Sequence, residues 1–163
     1  MEMSMKDKVI SFVEELGWAY TANGWIIKVD VNNGDLNWSS FFKTDDNSSL
    51  TYFGVLPVRI PDDKLTLIAK LVNVVNSSIW FGNFELIIEG TERGQLRFRT
   101  SGFIPETADD ETVDTLIRSI SSYNMAGMST YSKAFMKALY SDSDDIENFI
   151  DDTSNASEES DSE

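Results

Sequence analysis

The sequence predicts an α+β fold, an antiparallel sheet packed against helices. Three observations lead there. Segments with apolar residues at helical spacing take turns with segments rich in aromatic and β-branched residues. Short turn signals join the latter, which favours hairpins over parallel crossovers. The helical segments stand at the start, middle and end of the first 140 residues, so they divide the strands into two groups. The expected order is helix, three or more strands, helix, two strands, helix.

The first helix is expected from Ser4 to Leu16, where Met5, Val9, Phe12, Val13 and Leu16 share a face. Ser4 stands three residues before Asp7, as a capping pair requires, and Gly17 ends the helix. Residues 18–20, 25–31, 36–42 and 50–58 read as strands, separated by Asn23-Gly24, Asn32 to Gly34 and Asp45 to Asn47. Pro57 cannot donate to a ladder, so it marks an edge or a strand end. Pro61, Asp62 and Asp63 open a second helix that runs to about Ser78. It is apolar on one face through Leu65, Ile68, Ala69, Val72, Val75 and Ile79, and on an overlapping one through Leu67, Leu71 and Val74.

Residues 83–89 and 95–101 read as two more strands. In the second, Leu96 and Phe98 point one way while Gln95, Arg97 and Arg99 point the other, so one sheet face is buried and the other at least partly wet. A last helical stretch begins near Thr107, with Val113, Leu116, Ile117 and Ile120, and resumes as Met128, Tyr131, Phe135, Ala138 and Leu139. Asn124 and Gly127 lie between the halves, which predicts a kink or two helices.

The net charge of −15 is unevenly spread. Residues 141–163 hold ten acidic and no basic residues, leaving 18 acidic against 13 basic in the rest. The expected organisation is therefore a folded domain over residues 1–140 and a disordered acidic tail over 141–163. Neither part has the basic patch that nucleic-acid binding needs, so no direct nucleic-acid partner is expected. No stretch approaches the roughly 20 apolar residues of a membrane span, and the start lacks a secretory pattern, so a cytoplasmic location and no membrane partner are expected.

The chain has no cysteine and no histidine. Thiolate metal sites, disulfides, a cysteine nucleophile and the usual neutral-pH general base are thereby excluded, and no catalytic residue, metal or cofactor is expected. Asp62 and Asp63, like Asp109, Asp110 and Glu111, read as helix caps before they read as acid–base pairs. Asp142, Asp144, Asp145 and Glu147 lack the glycine and glutamate spacing of a calcium loop. Trp18, Trp25, Trp38 and Trp80 either line a groove or, as strand aromatics usually do, fill the core.

Two sets remain as protein-binding candidates. Leu67, Leu71 and Val74 form a surface for a partner unless the last helix covers them. Arg97 and Arg99 share a strand face with Arg93 nearby, and either receive an acidic segment or make cross-strand ion pairs.

The element order, with Asn76 near the end of the second helix, Gly82-Asn83-Phe84-Glu85, Gly94 to Arg99 and a helix start over 107–120, resembles the YbjN family, described broadly as bacterial sensory transduction regulators. The resemblance implies a type III secretion chaperone-like fold, a dimer and the binding of another protein, and it supplies no catalytic residue. A non-catalytic protein-binding module, chaperone-like or a regulatory adaptor, is the leading expectation. The alternative is an acidic mimic whose C-terminal tail occupies a basic site on a nucleic-acid-handling protein.

Overall fold

A computed structural model describes residues 3–154 except 35, 46–48 and 106. Helix α1 (Met5–Glu15) is followed by β1 (Tyr20–Asn23), β2 (Ile26–Asn33), β3 (Leu36–Asp45) and β4 (Ser49–Val55). A 3-10 turn (Asp62–Lys64) leads into α2 (Leu65–Ser78), then β5 (Asn83–Leu86), β6 (Leu96–Phe103), α3 (Asp110–Tyr140) and α4 (Glu147–Ser154). The fold is α+β, with one six-stranded antiparallel sheet in the order β1-β2-β3-β4-β6-β5. The first strand group therefore has four members. No helix among the described residues is long and apolar enough to cross a membrane.

Local chemistry sets the helix ends. The Ser4 hydroxyl accepts from the Asp7 amide while donating to its carboxylate, and the Asp109 carboxylate accepts from the Thr112 amide at 2.9 Å. Asp62 and Asp63 do not cap α2. That end has no side-chain cap, and Asp62 instead holds Arg93 at 2.8 Å.

The inward face of the sheet packs against helices, and the core falls into two clusters. Met5, Val9, Phe12 and Val13 of α1 join Ile27, Val29, Phe42, Leu50, Tyr52 and, from α3, Val113, Ile117 and Ile120. Leu65, Leu67, Ile68, Leu71 and Val75 of α2 join Trp38, Phe84, Phe98, Phe135, Leu139 and Phe149. Helix α3 serves both clusters. Its 31 residues span about 46 Å at 1.5 Å each, without the break expected at Asn124 and Gly127.

Those two residues mark the crossing point between clusters. The Asn124 amide donates to the carbonyls of Tyr52 and Phe98 at 3.0 and 2.9 Å, pinning the middle of α3 to β4 and β6. Gly127 leaves room for the Phe98 ring, and Gly54 faces Asn124 and Met128 closely enough that a Cβ there would lie 2.6 Å from the Met128 Cγ. The polar and small residues thus permit close helix–sheet packing within a continuous helix.

The boundary expected at residue 140 moves outward. Helix α4 buries Phe149 to 1 % exposure, with Ile146 and Ile150 packed beside it in the second cluster. Three apolar side chains in an otherwise acidic stretch suffice to dock one short helix. Residues 155–163, the rest of the expected tail, lie outside the described residues.

Burial pushes the Tyr52 hydroxyl up to about 12, with the neighbouring Ser40 hydroxyl offsetting part of the rise. The folded value lies above the unfolded one of about 10, so this contribution is fully present below pH 10 and lost as the pH rises towards 12. Ser40 lies beside the hydroxyl without a well-formed hydrogen bond to it, so Tyr52→Phe should leave stability at pH 7 nearly unchanged. Its alkaline unfolding midpoint, followed by circular dichroism, should shift upward. An unchanged midpoint would mean that Tyr52 does not govern that transition.

Candidate protein-binding surface

Alternation along the strands assigns the outward face. On β6 it places Arg97, Arg99, Ser101 and Phe103 opposite the buried Leu96, Phe98 and Thr100. Register carries the same face across the sheet, through Asn83 and Glu85 of β5, Thr51, Phe53 and Val55 of β4, Ser39, Phe41 and Lys43 of β3, and Ile26, Lys28 and Asp30 of β2. No described helix packs on it, since the core clusters draw on the other face.

Its centre is built from facing pairs. The rings of Phe41 and Phe53 stack at 4.8 Å, and the Arg97 guanidinium lies 4.5 Å from the centre of the Phe53 ring. Glu85 holds Arg97 through one carboxylate oxygen at 2.8 Å and Arg99 through the other at 3.0 Å. Two guanidinium groups thus share one carboxylate, and the triad keeps a positive balance. Lys28 and Lys43 extend that balance along the face, with Asp30 3.7 Å from Lys28. The aromatic pair stiffens the centre, while Phe103 at the end of β6 is 87 % exposed and Ile26 is 45 % exposed. At one end lies a cleft of about 590 Å³ between the β2–β3 hairpin and the exit of β4, lined by Trp38, Val55, Leu56 and Pro57 among others.

Arg97 and Arg99 therefore stand together as expected, and make the cross-strand ion pairs that were the plainer reading. Arg93 does not join them. It pairs with Asp62 and donates to the Ile88 carbonyl near the β5–β6 turn.

Leu67 and Leu71 are corrected as surface residues. They are 7 % and 0 % exposed, in the cluster that also holds Phe135, Ala138, Leu139 and Phe149. Of the three α2 candidates only Val74 reaches solvent, at 37 %. The folding of α3 and α4 back over α2 decides this, and the α2 periodicity cannot show it. The tryptophans do not converge either. Trp38 is core, Trp18 is half-buried, and Trp25 and Trp80 are exposed on separate loops. The residues that sequence reasoning missed, Phe41, Phe53, Glu85 and Phe103, carried a signal in the alternation of β3, β4 and β6, but only the strand register shows that they adjoin.

Asn76 explains one limit of the surface. Its side chain accepts from the Phe84 amide at 2.8 Å and donates to the Phe84 carbonyl at 3.0 Å, occupying the outer edge of β5. That edge is closed to an added strand at this position, which leaves the sheet face as the larger accessible feature.

The architecture has a counterpart among solved structures. The crystal structure of YbjN from E. coli, a candidate transcription regulator, superposes with a TM-score of 0.56, covering 77 % of this chain and 90 % of that one at 12 % identity. The chain has a YbjN-like fold. A scan against protein-family models finds no match, and neither does a search of curated protein sequences. At this identity the likeness to YbjN concerns the path of the backbone, and the residues of the outward face are this chain's own.

Proposed function

We propose that this chain is a non-catalytic protein-binding module, a chaperone-like or regulatory adaptor, that meets its partner through the outward sheet face and works as a homodimer. The observation that carries the reading is that face itself. It is a sheet surface on which no described helix packs, with a stacked aromatic centre, exposed Phe103 and Ile26 at its margin, and a locally positive Arg97–Glu85–Arg99 triad on a chain of net charge −15. Arg and Phe are enriched at interface centres because they combine area with directional contacts. The likeness to YbjN supports a regulatory role over an enzymatic one. Neither the fold nor that neighbour favours the acidic-mimic alternative.

The test compares the full chain with its Arg97→Gln/Arg99→Gln double variant as bait, with Thr115→Lys on exposed α3 as the control. Partner proteins recovered by the wild type and by the control should be lost with the double variant, while circular dichroism shows all three folded. Identical sets of partners would remove the sheet face from the function. Light scattering on the eluted chain tests the dimer separately, and a monomer at high concentration would withdraw that part.

A further inference from the structure

The helical side of the molecule contains a groove that already holds a ligand-like segment. Helix α4 has eight residues, fewer than a helix needs to persist on its own, and a lead-in of Asp142, Ser143, Asp144 and Asp145 with no apolar side chain joins it to α3. What holds it is Phe149, fully enclosed, with Ile146 and Ile150 beside it, in the cluster of Leu67, Leu71, Phe135 and Leu139. Those three side chains follow an i, i+3, i+4 pattern, which is how an amphipathic helix enters a groove.

Two further features describe what the groove prefers. Its rim is basic: Lys64 donates to the Ser141 carbonyl at 2.6 Å, Lys137 donates to the Asn148 carbonyl at 3.3 Å, and Lys70 lines the open end. Against this rim the sequence from Asp142 to Asp152 offers six acidic residues and no basic one. The groove also continues past its occupant. A cleft of about 620 Å³ runs on from Ile146 along Thr66, Ala69, Lys70, Asn73 and Val74, and Val74 is exposed within it. A longer helix would bury what α4 leaves open.

We propose that α4 is a strap lying in a second protein-docking groove, whose external occupant is an acidic amphipathic helix of a partner protein that displaces α4 and extends over Val74. This site lies on the helical side, away from the outward sheet face, and stands or falls separately from it. The partner gains over α4 by covering additional apolar area, and the lysine rim selects its charge. The energetic cost of displacement is kept low by the short length of α4.

The test uses full-length chain and a fluorescein-labelled peptide of residues 142–154 as the probe, followed by anisotropy at low salt. Phe149→Ala in the full chain weakens the competing strap, so this variant should bind the probe at least about tenfold tighter than wild type does. A probe carrying its own Phe149→Ala should bind neither protein. Adding Lys70→Glu to the Phe149→Ala chain should weaken binding, and Arg97→Gln/Arg99→Gln should leave it unchanged. Equal binding by wild type and Phe149→Ala, or none by either, overturns the proposal. Hydrogen exchange on the unaltered protein supplies a measurement free of folding artefacts: α4 amides should exchange at least about 100-fold faster than those in the middle of α3. Equal protection would make α4 part of the core and not a strap. A wild-type dimer that Phe149→Ala abolishes would identify the occupant as α4 of a second copy, and would also overturn the partner-helix proposal.

Discussion

Asn124→Asp is expected to remove about 3–5 kcal/mol of stability at neutral pH, by the mechanism of an unpaired buried charge. The substitution keeps the shape of the side chain and reverses its chemistry. Asn124 is fully buried, and its amide nitrogen donates to two carbonyl oxygens, those of Tyr52 and Phe98, with the Thr100 hydroxyl 3.3 Å away. A carboxylate there has no proton to donate and faces two oxygens that repel it. Burial and those oxygens raise its folded pKa above the unfolded value, so the folded state binds the proton more tightly. Stability should therefore recover as the pH falls, because the neutral acid can donate again. Urea unfolding at pH 7 and pH 5 would show a smaller deficit at the lower pH. Asn124→Ala should cost less, about 1–3 kcal/mol, since it removes the donor without introducing a charge. An Asp variant as stable as wild type at pH 7 would mean that the α3–sheet junction does not depend on these bonds.

Gly127→Ala is expected to lower stability by about 2 kcal/mol, or roughly 4–8 °C in Tm, opposite in sign to the usual result in a helix. Ala for Gly within a helix ordinarily stabilises by about 1 kcal/mol, because glycine loses more backbone freedom on folding. Here a Cβ at position 127 would run into the ring of Phe98, which is 1 % exposed and packed against Phe84. The ring cannot yield without disturbing the cluster that joins α2, α3 and the sheet. The cost of overpacking then exceeds the gain in propensity. Thermal unfolding of the two proteins side by side decides the sign, and a higher Tm for the variant would show that α3 can lift from the sheet at little cost.

Both predictions concern residues that the sequence presents ambiguously. Asparagine and glycine within an apolar periodic stretch are the usual signs of an interruption. A single side-chain hydrogen-bonding site across the sheet, absent from any local window, turns both into packing residues within one helix. The same limit applies to Leu67 and Leu71. Their spacing on α2 shows that a second face is apolar, but whether solvent, a partner or the chain's own α3 and α4 meets that face depends on where residues 110–154 return. For Arg97 and Arg99 the alternation within β6 was sufficient to place both on one face. The acceptor, Glu85, and the aromatic support, Phe53, come from neighbouring strands whose register the sequence does not state.

By itself the sequence determined the α+β class, the order of its main elements, the Ser4 cap, and the absence of thiol and imidazole chemistry. These depend on residue identity and short-range periodicity, which act over a few residues. Only the tertiary structure decided which apolar faces are spent on the core, that α3 crosses the molecule unbroken, and that Ile146, Phe149 and Ile150 draw part of the acidic stretch into the fold. Each of these depends on contacts between residues far apart in the chain, where burial of area outweighs local preference. The outward sheet face with its arginine pair is what remains uncovered once those contacts are made.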